Sequence, residues 1–318
     1  MRDFDTRRWT HPATILVATD LSDLDHLMPF AMEQASETGV RLILLHVLTS
    51  TAVISADAVG MPYYDPVGAL EIVEQRLRPW CEQAARRGIR CDALVREGQP
   101  TLQIAAAIRQ FHVDRVLLGT RSRSKIGKLL IGSVAEQVLR SVYLPVITVG
   151  PEAHLPVDSS QEHAVERVVL HATTLRETSR PSAALACRIA AAQKAKLVLL
   201  HVLPHIPEME RKGLPIGLDS AAMVELRILA EQTGAGCCSA VEPIVAHGNP
   251  SIEILALAQE RHASLIVLGA TRRSAFENLT RDRTVYRVLA HALCPVLTLR
   301  ESQVMPEEVH VETSVAHR

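Results

Sequence analysis

Short, wholly apolar runs alternate along the chain with longer amphipathic stretches. Thr14 to Thr19 (TILVAT) and Val40 to Leu48 (VRLILLHVL) are continuous apolar runs, as parallel strands buried on both faces require. Between them, DLSDLDHLMPFAMEQASETG predicts a helix with an acidic, serine-bearing start and Gly39 just past its end. Leu70 to Arg87 predicts a helix bent at Pro79 and ended by Gly88, and IRCDALVRE predicts a third strand. TLQIAAAIRQF (a helix after GQP), VDRVLLG (fourth strand), VAEQVLRSV (helix) and LPVITVG (fifth strand) complete the series. Thr49 to Val67, with Gly60, Pro62 and Pro66, reads as a long loop suited to a lid or an interface arm. Strand and helix in strict alternation imply an α/β fold: a parallel sheet with right-handed crossovers and helices on both faces.

After the polar, proline-bearing stretch PEAHLPVDSSQEHA, the pattern starts again. LILLHVL at Leu42 to Leu48 returns as LVLLHVL at Leu197 to Leu203, REGQPTLQI returns as AHGNPSIEI, and DRVLLGTRS returns as SLIVLGATR. Gly98 is thereby answered by Gly248 and Gly119 by Gly269, while LPVITV returns as CPVLTL. The expected organisation is one domain over 1–150, a linker over 151–164, a second copy over 165–300 and a polar tail over 301–318. Each copy ends in an apolar edge strand, and these edges are expected to pair, Pro145 to Val149 against Pro295 to Leu299, because tandem partners meet at high local concentration.

Composition narrows the function. The 318 residues are 47% hydrophobic and 22% charged, ordinary for globular domains with two cores. A net charge of -1 and 3% aromatics supply neither a basic field nor stacking platforms, so no nucleic acid partner is expected. MRDFDTRRWTH has no apolar signal core and no run of eighteen apolar residues occurs, so a cytoplasmic protein without a membrane partner is expected. Six cysteines lack any C-x-x-C spacing and read as reduced packing residues, the adjacent Cys237 and Cys238 included. His171, His201 and His247 lie near strand ends without finger or helix-face spacing, and no metal site is expected.

The candidate chemistry lies in GTRSRSKIGKLLIGS, Gly119 to Ser133, between the fourth strand and its helix. Arg121, Arg123, Lys125 and Lys128 make the loop basic, and the Gly132-Ser133 pair opens a helix whose unpaired N–H groups and dipole favour an anion. It is not a Walker A loop, since Gly127-Lys128 is followed by Leu129.

Both halves resemble universal stress protein domains over nearly all of residues 12 to 300. Nucleotide-binding members resemble one another in G-x2-G-x9-G-[ST], preceded by an Asp at the end of strand one. Here Gly119, Ser122 and Gly132-Ser133 keep that spacing, with serine in place of one glycine, and Asp20 ends strand one. The resemblance implies two doubly wound parallel five-stranded sheets, each in the order 3-2-1-4-5, with the chain internally mimicking a family homodimer and a homodimer of the whole chain as a further state. It also implies an adenine nucleotide, ATP with Mg, bound in the first domain. Asp20, led in by Ala18 and Thr19, would contact the ribose, and the main chain of Val47 would read the adenine. Leu118, Gly119, Arg121, Ser122, Gly132, Ser133 and Val134 would surround the phosphates. In an open α/β sheet this is the switch point, between strands one and four.

The second copy departs from the pattern. Ser122 is answered by Arg272 and Gly132-Ser133 by Asp282-Arg283, and Asp20 falls on Thr173, Thr174 or Leu175, none of them acidic. The expectation is a stress-response protein that binds nucleotide in its first domain only and is not an enzyme. The alternatives are a nucleotide-free scaffold, or a weak ATP hydrolase for which the loop supplies no acid or histidine.

Overall fold

The computed structural model describes residues 9–36, 39–49, 55–56, 62–63, 66–120, 131–153, 166–204, 216–234, 240–271 and 283–301. The first half contains β1 (Thr14–Thr19), α1 (Leu24–Ser36), β2 (Arg41–Leu48), α2 (Pro66–Arg86), β3 (Cys91–Glu97), α3 (Pro100–Gln110), β4 (Arg115–Gly119), α4 (Ser133–Ser141) and β5 (Val146–Val149). The second contains β6 (Val168–Ala172), α5 (Arg180–Ala192), β7 (Lys196–Leu203), α6 (Ile216–Gly234), β8 (Val241–His247), α7 (Pro250–Glu260), β9 (Leu265–Thr271), α8 (Arg283–His291) and β10 (Val296–Glu301). Within the stretch read as a long loop, Ser55–Ala56 and Pro62–Tyr63 pair as a short antiparallel ribbon.

The main sheet runs β8-β7-β6-β9-β10-β5-β4-β1-β2-β3. Strands within each half are parallel, and the halves join where β5 and β10 run antiparallel, Ile147 opposite Leu297. Thr148 Oγ1 donates to the Val296 carbonyl across this seam at 3.3 Å. Two apolar edges thus cover one another in a ten-stranded sheet.

Period-two alternation sorts the strand side chains between two cores. Ile15, Val17, Leu42 and Leu44 pack with α1, α2, α5 and α6 on one face, and Leu16, Ile43 and Leu45 pack with α3, α4, α7 and α8 on the other. Each core spans both halves, and because helices cover both faces the central strands are apolar on both sides. β1 is pinned beside β4 by Asp114, whose Oδ2 accepts from the amides of Ala13 and Thr14 at 2.9 and 3.1 Å, bringing Ala18 opposite Leu118.

The thiols depart from expectation. Cys187 is disulfide-bonded, while Cys81, Cys91 and Cys294 are free. The absence of C-x-x-C spacing does not exclude a bridge, because a disulfide requires only that the two Cα atoms come close in the fold. Cys237 and Cys238 lie outside the described residues. No helix among the described residues is long and apolar enough to cross a membrane.

Candidate functional site

After β1 the chain leaves the sheet toward the face of α1 and α2, and after β4 toward the face of α3 and α4, so a crevice opens between the two strand ends. On the β1 side a tight turn sets the geometry. Leu21 adopts a left-handed φ of 74°, which costs a branched residue about 1 kcal/mol or more. Three bonds offset that cost: the Leu21 amide donates to Thr19 Oγ1 at 2.8 Å, Thr19 Oγ1 donates to Asp23 Oδ1 at 2.5 Å, and Arg76 from α2 donates to the Leu21 carbonyl at 3.0 Å. His46 in β2 contacts the Thr19 carbonyl through Nδ1 at 2.9 Å, and burial holds this imidazole below its usual pKa, keeping it neutral. Asp20 is thereby projected into solvent, its Oδ1 accepting from the amide and hydroxyl of Ser22.

The turn also exposes a main-chain acceptor. Leu48 accepts from the Gly98 amide on the β3 side, so alternation aims the carbonyl of Val47 toward β1. β1 has already ended opposite His46, and the Leu21 amide that would continue the ladder is engaged by Thr19 Oγ1. Val47 therefore presents its carbonyl at the rim of the crevice.

On the β4 side the described chain runs through Gly119 to Thr120 and returns at Ile131. Arg121 and Ser122, with Arg123, Lys125 and Lys128, lie outside the described residues. The Gly132 amide donates to the Thr120 carbonyl at 3.0 Å, fixing the start of α4 beside the end of β4. Gly132 is the N-cap and has no side chain to cap the helix, so among the described residues the start of α4 offers its first amides without a side-chain cap from position 132, and Ser133 is exposed beside them. Ala18, Leu118 and Val134 are also brought here, but their side chains pack into the core, leaving only their backbone to the site.

The sequence reading missed Asp23. Its carboxylate lies across the crevice against the bare Cα of Gly119, and a Cβ on that glycine would fall 2.1 Å from Asp23 Oδ2. Burial first, and the nearby charge of Asp20 second, push its pKa up to about 6 against the bond from Thr19. The signal was the second acid of DLSD, three residues after Asp20, which reads from sequence as a helix-start charge alone.

In the second half Thr173 and Leu175 repeat the turn: Leu175 has φ 58°, its amide donates to Thr173 Oγ1, and His201 contacts the Thr173 carbonyl. Thr19 matches Thr173 in this register, so Asp20 is answered by Thr174, whose hydroxyl is engaged with Ser179 at 2.8 Å. β9 does not stop at Gly269 as β4 stops at Gly119. It continues to Thr271, paired with β10 as far as Glu301. Arg272 and Asp282 lie outside the described residues, as does the side chain of Arg283.

Comparison with known proteins agrees with this architecture. The model of the universal stress protein family matches residues 13–150 and 166–300. A universal stress protein of Thermus aquaticus is 30% identical over 142 residues, 43% of this chain and 97% of that one. One from Mycobacterium tuberculosis is 29% identical over 140 residues, 43% of this chain and 46% of that one. The crystal structure of a universal stress protein from Archaeoglobus fulgidus superposes with a TM-score of 0.66 at 20% identity, over 91% of this chain and 98% of that one. With both halves matched by the same family model, the chain belongs to the universal stress protein family and carries two copies of its domain in tandem.

Proposed function

We propose that this stress-response protein binds ATP or another adenine nucleotide in its first domain, across the ends of β1, β2 and β4, without turning it over, and that the second domain binds none. The observation that carries the reading is the meeting of three complementary groups at adjacent strand ends: the exposed carboxylate of Asp20, the carbonyl of Val47 at the crevice rim and the start of α4 at Gly132, an N-cap without a side chain, and Ser133. A carboxylate accepts from ribose hydroxyls, a main-chain carbonyl accepts from the adenine amino group, and helix amides with their dipole receive phosphate. ATP would bring Mg with it on its phosphates. Guanine would turn an oxygen toward Val47, so GTP should bind less well. In the second half a hydroxyl already in use replaces the carboxylate, and a continued strand replaces the strand end.

Calorimetric titration of the full chain with ATP and GTP tests the reading. One ATP is expected per chain. Each charge-assisted contact is worth roughly 1.5–3 kcal/mol, so Asp20→Ala and Gly132→Asp should each weaken binding about tenfold or more. Affinity unchanged in both variants, or no ATP binding by the unaltered protein, overturns it.

A further inference from the structure

Away from the nucleotide crevice, two thiols meet on the outer side of the first domain. Cys81 lies near the end of α2 and Cys91 opens β3, the edge strand of the sheet, and their sulfurs are 3.2 Å apart. The turn between them is held by its own backbone. Arg87 and Ile89 donate to the Ala84 carbonyl, Gly88 donates to that of Ala85, and Gly88 takes φ 75°. The contact is therefore built into the helix-to-strand connection. Forming a disulfide, with sulfurs about 2.05 Å apart, requires a closure of only about 1.2 Å. Both thiols are half-buried, so a small oxidant reaches them while the pair stays packed against the core.

Packing alone does not call for sulfur here. Cys91 stands opposite Leu42 just as Val241 stands opposite Leu197 in the second half, and valine fills that place. Arg41 at 2.6 Å and Arg90 at 3.7 Å hold the neighbouring Asp92, limiting the charge it presents to the sulfurs.

We propose that Cys81 and Cys91 form a peroxide-responsive dithiol, a site of reversible oxidation independent of the nucleotide site. Cys81 is the attacking sulfur. The hydrogen-bonded contact between the two thiols lowers the pKa of Cys81, while the same contact and burial raise that of Cys91. In the first step the Cys81 thiolate attacks one oxygen of a hydroperoxide. The S–O bond forms, the O–O bond breaks, and the departing oxygen takes a proton to leave as alcohol, or as water from hydrogen peroxide. In the second, the Cys91 sulfur attacks the Cys81 sulfenic acid. The S–S bond forms, the S–O bond breaks, and the hydroxyl leaves as water with the Cys91 proton. Two thiols lose two electrons and two protons to one hydroperoxide, and a dithiol reductant restores them.

The product ties α2 to the edge strand through a short loop, so oxidation should raise the melting midpoint of the protein by about 4 °C. The test exposes the reduced full chain to one equivalent of hydrogen peroxide and maps alkylated peptides cysteine by cysteine. The expected result is a linked pair of peptides containing Cys81 and Cys91, lighter by two hydrogens and restored by dithiothreitol. Cys294, whose burial pushes its pKa up to about 12, serves as the inert internal reference. In Cys91→Val, which copies Val241, oxidation should stop at a Cys81 sulfenic acid trapped by dimedone. Cys81 and Cys91 both staying as free thiols, alkylated after unfolding as fully as Cys294, overturns the proposal. So does oxidation of Cys81 in the unaltered chain beyond the sulfenic acid without linkage to Cys91.

Discussion

Asp23 and Gly119 are locked together across the crevice between β1 and β4, the carboxylate occupying the space that any side chain at position 119 would need. A methyl group there would meet Oδ2 at 2.1 Å, so either the carboxylate or the strand end has to move. Gly119→Ala should therefore destabilise the protein by roughly 1–3 kcal/mol. Combined with Asp23→Ala, which vacates the space, it should cost much less than the sum of the two single changes. Denaturant melts of the four proteins check this coupling, and additive effects would mean that the contact carries no energy.

Two buried groups should oppose one another in acid. Asp23 titrates at about 6 in the fold against 3.8 ordinarily, so between those values the folded state holds a proton that the unfolded state has lost, and stability falls as pH rises. His171 is wholly buried and its pKa is lowered by that burial from 6.5 to about 4, so in nearly the same window the unfolded state holds the extra proton and stability rises with pH. Each slope is about 1.4 kcal/mol per pH unit and the two largely cancel. Asp23→Asn should add about 1–3 kcal/mol at pH 7 and leave a protein that weakens as pH falls from 6.5 to 4. His171→Val, which copies Val17 in the first half, removes one of the two lowered histidines (His46 keeps its own share), so it should leave a protein that weakens less than the unaltered chain as pH falls from 6 to 4. Urea melts from pH 4 to 7 read both signs.

The fold class was legible because the central strands are short apolar runs and most connections carry their own stop signal, so the alternation of strand and helix and the tandem repeat follow from pattern, while the strand order within each half came with the family resemblance. The placement of the candidate residues was legible where the pattern marks an element's end, as with Asp20 after β1 or the Gly132-Ser133 start of α4. It was not legible where the same residue serves two purposes. Asp23 reads as a helix-start charge until the fold lays it on Gly119. His46 reads as one polar residue in an apolar strand until it reaches the carbonyl of Thr19. Register also decided what spacing left open, since the repeated turn at Leu21 and Leu175 assigns Asp20 to Thr174. Proximity of Cys81 and Cys91 depends on how the Gly88 turn folds back, which no spacing rule contains.

If the second domain is closed by its strand as well as by its missing acid, restoring the acid alone should not open it. Thr174→Asp in the background of Asp20→Ala places the carboxylate in the second copy only. β9 still runs through Gly269 to Thr271, leaving no strand end for phosphate to approach. Calorimetry should find ATP binding as weak in the double variant as in Asp20→Ala alone. Recovery of one site per chain would show that the acid by itself decides which half binds.

The seam between β5 and β10 predicts how the halves unfold. Ile147 and Leu297 face one another there, 2% and 0% exposed, within a core to which both halves contribute. Unfolding either half alone would bare these side chains and the strand edge beneath them, so the intact protein should melt in one cooperative calorimetric transition. Ile147→Asp puts an unpaired carboxylate into that core, where it must ionise at high cost, remain protonated or pull the seam apart. Separation costs the least because the contacts between strands within each half survive it. The expected outcome is a single transition in the unaltered chain that splits into two in Ile147→Asp, with hydrogen exchange accelerated first at β5 and β10. Two separate transitions in the unaltered protein would mean that the halves fold independently despite the shared sheet.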